Sequence, residues 1–283
     1  MTTRLFRYAP TPSGFLHEGN ALNFVLTWIF ARREKAKIWL RIDDSDQTRV
    51  RDIYLENIFQ TLEWLDLDYD FGPQGVEEHK KEHSQGLKTE YYYQELQKSY
   101  ELFACECSRA QLAKESRYPS FCTYKNLDLE RGLYAFRLKR DDLDFYRGTS
   151  KEFYQSVLWR RDNNPSYQWV SLIEDRDKGV TDVIRGEDLR GSGEFQKQLY
   201  AYLPKSQKKS FPKNFYHHNL LTKDNGEKLS KSQKSPPLIQ NYKNKEQFFQ
   251  KVISPFFNLS ELASSAQEIE QESCFSPKDF IRL

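Results

Sequence analysis

The chain lacks any stretch near the roughly 20 consecutive apolar residues that span a bilayer, which excludes a helical membrane protein. Its opening residues, MTTRLFRYAPTPSG, hold no apolar run, so no secretory leader is expected. Cysteine is scarce, four in 283 residues, which excludes a disulfide scaffold. The expected compartment is cytoplasmic with reduced thiols, where clustered cysteines point to metal or catalysis before disulfides. Apolar residues reach only 38% while charged residues reach 30%, a balance that in isolation points to disorder. Two features oppose that: aromatics make up 15%, and 43 basic against 41 acidic residues leave a net charge of only +2. The expectation is a folded protein of one large or two modest domains.

The small net charge hides an uneven distribution. Residues 203–251 carry eleven lysines, no arginine and only Asp224, Glu227 and Glu246 as acids. Such a block attracts polyanions, or is a solvated lysine-rich surface. Residues 4–9 read as a strand broken by Pro10–Gly14, residues 17–35 as an amphipathic helix, and KIWLRI at 37–42 as a second strand. This is the opening of a βαβ unit. Helices are expected at about 50–65, 83–103 and 192–202. Strands are expected at 133–138 and 180–186. Residues 153–159 and 167–173 read as strands, or as a strand and a helix start. Short helices and an acidic tail close the chain.

Three constellations carry chemistry. Thr11-Pro-Ser-Gly14-Phe-Leu-His17-Glu-Gly19-Asn20 lies between a strand and a helix. Glycine permits close backbone approach, and a helix N-terminus offers free N–H groups to an anion. The alternative is an ordinary strand-to-helix turn with a surface histidine. Lys228-Leu-Ser-Lys231-Ser232 places two point charges three residues apart in the basic block. They suit a pyrophosphate leaving group, or belong to a lysine-rich surface loop. Cys105-Glu-Cys107 followed by Cys122 offers three of the four ligands zinc prefers, or reduced structural thiols.

Taken together, these segments resemble class I aminoacyl-tRNA synthetases. The first is similar to their H-I-G-H signature and the second to their K-M-S-K-S signature. Arg7-Tyr-Ala9-Pro-Thr11-Pro-Ser-Gly resembles R-F-A-P-S-P-T-G of the glutamyl and glutaminyl branch. Leu40-Arg41-Ile42-Asp43-Asp44-Ser45-Asp46 resembles its L-R-I-E-D-T-D, and Asp182-Val-Ile-Arg185-Gly186-Glu187-Asp188 resembles the strand before its second nucleotide loop. The matches run in order from residue 4 to about 237.

The resemblance implies an α/β fold: a Rossmann-type nucleotide-binding catalytic domain in two halves, 1–103 and 161–237. An inserted zinc-binding α/β subdomain would occupy 104–160, and a short helical C-terminal part 238–283. It implies ATP with Mg²⁺, L-glutamate and tRNA as partners. His17, Lys228 and Lys231 would be catalytic. Arg7, Ala9, Thr11, Asp43, Tyr167 and Arg185 would hold glutamate, the two arginines gripping its carboxylates. For either arginine alone the alternative is a surface salt bridge. Gly14, His17, Gly19, Asn20, Leu229, Ser230 and Lys231 would meet ATP.

The thiol spacing with Tyr118 is similar to that of a short branch of the family that glutamylates queuosine in the anticodon of tRNA for aspartate. There the cysteines and tyrosine surround a structural zinc, which implies Cys105, Cys107, Tyr118 and Cys122 here. Cys274 is left as a free thiol. The 52 residues after Lys231 are too few for the large anticodon-binding part of ordinary glutamyl enzymes, so none is expected. The alternatives are a minimal enzyme charging a tRNA 3′ end, or a catalytically impaired binder of amino acid or RNA. Four positions depart from the pattern: Asp43 is one methylene shorter than the usual glutamate, Glu18 and Asn20 alter the histidine signature, and Leu229 replaces methionine. Glu18 is expected to point away from phosphate, which it would otherwise repel.

Overall fold

The computed structural model describes residues 4–112, 121–139, 157–221, 236–257, 263–271 and 281–282. Tyr118, Lys228, Leu229, Ser230, Lys231 and Cys274 lie outside them. The chain forms two compact units, one from Met1–Gln85, Gly179–Arg190 and Pro212–Leu283, the other from Gly86–Lys178 and Gly191–Phe211. Eight strands occur among the described residues: β1 Leu5–Tyr8, β2 Lys37–Leu40, β3 Leu102–Cys105, β4 Ala135–Leu138, β5 Val157–Trp159, β6 Asp182–Gly186, β7 Asn214–His218 and β8 Ile281–Arg282. No helix among them is long and apolar enough to cross a membrane.

In the first unit β1 and β2 run parallel, Leu5 opposite Lys37 and Tyr8 opposite Leu40. Helix α1, Glu18–Arg33, connects them. All four residues of β1 are buried, as expected of a parallel strand covered on both faces. β6 pairs parallel with β7, and β8 adds to β7 antiparallel. Thr181 joins the two parallel pairs: its N–H donates to Leu5 O at 2.9 Å, its hydroxyl accepts from Leu5 N–H at 2.8 Å, and its carbonyl accepts from Lys213 N–H at 2.9 Å. Next to it Asp182, fully buried, accepts from Arg4 Nε at 3.0 Å, Asn214 Nδ2 at 2.8 Å and the Thr181 hydroxyl at 2.7 Å. The carboxylate is affordable there because each donor replaces lost hydration.

Helix α1 differs from the amphipathic helix its spacing predicts. Ala21, Leu22 and every residue from Phe24 to Ala31 are buried. Apolar residues of β1, β2, helix α2 (Asp52–Trp64) and the C-terminal segment share one core with it. Leu238, Phe248, Phe249, Ile253 and Ile269 belong to that core. Arg33 fastens the helix Ala266–Gln271 through its carbonyls, donating to Ile269 O at 2.8 Å and Glu270 O at 3.0 Å. Each large apolar side chain buried in this way contributes about 1.5–3 kcal/mol.

The second unit is built on the antiparallel order β3-β4-β5. Its core gathers Tyr92, Leu96, Phe136, Trp159 and Trp169. Trp169 Nε1 donates to Tyr92 O at 2.8 Å, and the Tyr92 hydroxyl donates to Glu174 at 2.7 Å, so both aromatic polar tips are satisfied inside. Two expectations change here and in the first unit. The helix expected at 83–103 runs only over Thr89–Ser99, because Tyr100 turns extended and 102–105 is β3. Of the two readings of 153–159 and 167–173, the strand and helix start holds, as β5 and the helix Tyr167–Lys178. Asn214–Phe-Tyr-His-His218, inside the lysine-rich block and given no element from sequence, is the buried strand β7.

Candidate active site

The site elements of the first unit converge where β1 and β2 end. Arg41 N–H donates to Tyr8 O at 3.0 Å and Asp43 N–H to Pro10 O at 2.8 Å, which zips the Ala9–Thr11 exit to the Arg41–Asp43 exit. The following loop is held at Leu16, whose N–H donates to Asn57 Oδ1 of α2 at 2.9 Å. In open parallel sheets such strand exits are where ligands bind, at the point where helical connections diverge. The connection from β1 leads through α1 to β2, while β6, on the other side of β1, continues toward β7.

His17 is the N-cap of α1. Its Nδ1 accepts from Gly19 N–H at 3.1 Å, and Asn20 Oδ1 accepts from His17 N–H at 3.2 Å, a reciprocal capping box. Acceptance at Nδ1 puts the proton of a neutral ring on Nε2, making that nitrogen the donor. A Cβ at position 19 would lie 3.0 Å from His17 Cε1 and 3.1 Å from Nδ1, so glycine lets the ring fold over the first turn. At Gly14 a Cβ would meet no protein atom within 4 Å. The Glu18 carboxylate accepts from the Tyr242 hydroxyl at 3.2 Å. Burial first, then the Glu18 charge, pushes the Tyr242 phenol well above its ordinary value.

Arg7 on β1 and Arg185 on β6 are both buried, and the Arg185 guanidinium lies 5.5 Å from the centre of the Phe215 ring. Ala9 is half-buried and Thr11 exposed. Gly186 ends β6 where a Cβ would lie 2.6 Å from Asp188 Oδ1 and 2.9 Å from Leu220 Cδ2. Behind these strands Asn23 of α1 donates to Ile184 O at 3.1 Å and lies 3.3 Å from His218 Nε2. His218 Nδ1 is 2.9 Å from Asn219 O, so Nδ1 carries the proton and Nε2 accepts from Asn23. Burial holds the His218 pKa below its ordinary value, against the opposing pull of Asn219 and Asp188.

Asp43 is tied down. Arg41 grips both its oxygens, Nε to Oδ1 at 2.6 Å and Nη2 to Oδ2 at 3.1 Å, and Gln85 Nε2 donates to Oδ1 at 3.1 Å. Its neighbour Asp44 is buried and accepts from His79 Nε2 at 2.9 Å, the Ser84 hydroxyl at 2.7 Å and Gln85 N–H at 2.7 Å. Burial alone would raise its pKa; the bonds from His79, Ser84 and Gln85 outweigh this and hold it below the ordinary value. Asp44, His79, Ser84 and Gln85 were not singled out by sequence reasoning. The second acid of L-R-I-D-D was the available signal.

Among the other sequence-predicted residues, Tyr167 opens the helix Tyr167–Lys178 of the second unit. That unit also gathers Cys105, Cys107 and Cys122, whose sulfurs all lie within 4.8 Å of one another, with Cys107 and Cys122 at 3.5 Å. A tetrahedral zinc at about 2.3 Å from each sulfur separates them by about 3.8 Å, so the thiols are already spaced for one ion. Burial, then the neighbouring thiols, pushes Cys107 up to about 12. A central cation reverses that repulsion and deprotonates the ligands. The donor set fits zinc. Lys228, Leu229, Ser230, Lys231 and Tyr118 lie outside the described residues.

The family described as tRNA synthetases class I (E and Q), catalytic domain, matches residues 4–127 and 139–277. A Glutamyl-Q tRNA(Asp) synthetase from Synechococcus sp. (strain CC9605) is 36% identical over 228 residues, covering 80% of this chain and 72% of that protein. A Glutamate--tRNA ligase from Wigglesworthia glossinidia brevipalpis is 29% identical over 86% of this chain and 54% of its own length. The crystal structure of glutamate-tRNA synthetase from Elizabethkingia anophelis superposes with a TM-score of 0.62 at 22% identity, over 81% of this chain and 52% of that one. The chain thus spans about half the length of the last two, and the structural likeness is one of fold. With the Arg7–Gly14, Leu40–Asp46 and Asp182–Asp188 segments at strand ends of this fold, the chain belongs to the class I (E and Q) tRNA synthetases, a family of ligases.

Proposed function

We propose that the protein activates L-glutamate with ATP and Mg²⁺ as glutamyl-adenylate and transfers it to the queuosine base in the anticodon of tRNA for aspartate. The glutamate carboxylate attacks the α-phosphate, pyrophosphate leaves, and a hydroxyl of the queuosine cyclopentenediol then attacks the acyl carbon and releases AMP. Both nucleophiles come from substrates, so the protein's work is positioning and charge stabilisation. The supporting observation is the His17 cap, which makes Nε2 the donor nitrogen of a neutral ring at the α1 N-terminus, in the same unit as the strands that carry Arg7 and Arg185.

In this reading Gly14, Gly19 and Asn20 shape the ATP turn. Lys228 and Lys231, with Leu229 and Ser230 between them, neutralise the leaving pyrophosphate. Arg7 and Arg185 pair with the carboxylates of glutamate, with Ala9 and Thr11 beside them. Asp43 receives the ammonium. Cys105, Cys107, Cys122 and Tyr118 hold a structural zinc, which supplies a cross-link and no step of the reaction. The queuosine acceptor is supported by the name of the Synechococcus relative.

The test has two parts. Glutamate-dependent pyrophosphate exchange without tRNA is expected, and its absence with Mg²⁺ and ATP removes the reading. Glutamylation is then compared on queuosine-containing and queuosine-free tRNA, with the anticodon nucleosides analysed by mass spectrometry. Acceptance of queuosine-free tRNA instead supports charging at the 3′ end, the reaction named for the Wigglesworthia relative.

A further inference from the structure

The Asp43–Asp44 loop is held by a segment that the proposed chemistry leaves unused. Gln85 is almost wholly buried and makes three bonds to that loop: its N–H donates to Asp44 Oδ1 at 2.7 Å, its Oε1 accepts from Ser45 N–H at 3.1 Å, and its Nε2 donates to Asp43 Oδ1 at 3.1 Å. The partners fix the amide orientation, since one is a donor and another a carboxylate. Asp44 is anchored in turn by His79, fully buried, and by Ser84. Gln47 Nε2 closes the loop from its other side, donating to Asp44 O at 2.6 Å and to the Ser84 hydroxyl at 3.3 Å.

Asp43 itself has little freedom. With Arg41 on both oxygens and Gln85 on Oδ1, Oδ2 is the oxygen carrying the lighter load. An ionised carboxylate has about four acceptor directions, so Oδ2 retains capacity for an ammonium donor. Its direction follows from Oδ1 being held. A side chain one methylene shorter than glutamate cannot swing to recover a lost contact.

We propose that Gln85, oriented by the buried Asp44–His79–Ser84 cluster, is a positioning residue that aims Asp43 at the amino group of the amino-acid substrate. The inference rests on the reading of Asp43 as the ammonium acceptor. It makes Gln85 a determinant of recognition at the amino group and leaves carboxylate recognition to other residues.

The experiment uses the full chain in glutamate-dependent pyrophosphate exchange, with glutarate, which lacks the amino group, as a competitive inhibitor. Gln85→Glu keeps an acceptor for Ser45 N–H and turns a repelling carboxylate on Asp43. It is expected to raise the glutamate KM about tenfold or more, with the ATP KM and the glutarate inhibition constant each within about twofold of the parent. Gln85→Leu, which removes the donor without adding charge, gives the same split with a smaller rise and serves if the first variant does not fold. An equal loss for glutarate and glutamate overturns the proposal. Asp43→Ala separates the two failures. If it leaves the glutamate KM unchanged, the reading of Asp43 is wrong and the inference falls with it. If it raises KM while both Gln85 variants do not, only the positioning role is wrong.

Discussion

Each unit gathers a cluster of groups that are costly to bury, and the two resolve that cost in opposite ways. In the first, Asp44 is surrounded by donors that the protein supplies, from His79, Ser84 and the Gln85 backbone. In the second, Cys105, Cys107 and Cys122 bring like groups together, and burial, then the neighbouring thiols, opposes ionisation of Cys107. Both oxygens of Asp44 are satisfied by the protein itself. The thiol cluster would reach a stable ionised form with a cation from outside, the zinc proposed above. The difference teaches that the first unit's site is preorganised by the chain, while in the proposed zinc-bound state the second unit's integrity would be coupled to metal supply.

The strongest test of that contrast removes a charge from the preorganised side. Arg185→Ala is expected to lower kcat/KM for glutamate by about 100-fold or more, because a substrate carboxylate is left buried without its partner. Pyrophosphate exchange measures it, and kinetics like those of the parent remove Arg185 from the pocket. On the other side, Cys122→Ser or a strong chelator is expected to lower the melting temperature by on the order of 10 °C and to release about one zinc per chain. Thermal melts with metal analysis check this. A chain that purifies without zinc and melts unchanged after chelation breaks the comparison.

Acidification probes the first unit in two stages. His218 has a folded pKa held below its ordinary value, so its contribution is complete above about pH 6.5 and is lost as pH falls through the folded value. Asp44 is also depressed, so its contribution is complete above about pH 4 and is lost at lower pH. Asp44→Asn is expected to cost on the order of 2 kcal/mol at neutral pH and to flatten the lower stage, and His218→Asn to flatten the upper one. Denaturant melts across pH 3–8 give the readout. The smallest stability change is expected for Gly19→Ala. Alanine gains up to about 1 kcal/mol of helix propensity, while displacement of His17 loses a similar cap contribution. Stability therefore stays nearly level while exchange activity falls about tenfold, a separation that a purely structural role for His17 does not produce.

The legible parts of the molecule were those whose partners lie close in sequence. His17, Gly19 and Asn20 form one turn, and their spacing already contained the cap. Cys105, Cys107 and Cys122 were readable for the same reason. The Asp44 cluster was not, because its partners lie 35 to 41 residues away within or beside a stretch that looked helical. Forming those bonds takes Ser84 and Gln85 out of the helix pattern, which then begins only at Thr89. β7 escaped notice because its five residues, two of them histidines, sit in a lysine-rich block, and burial rather than propensity makes them a strand. Helix α1 was found at nearly the right limits, yet its depth was hidden: a periodic apolar stripe does not show that Thr27 and Trp28 are also covered.

That depth bears on motion. Amides in the middle of a helix enclosed on almost every side exchange with solvent only when the surrounding unit opens, which makes α1 a candidate for the slowest-exchanging segment of the chain. His17 and Gly19 are the first links of that segment. The turn proposed to meet phosphate is therefore fastened to an enclosed helix, and ligand binding there would have little disorder to remove.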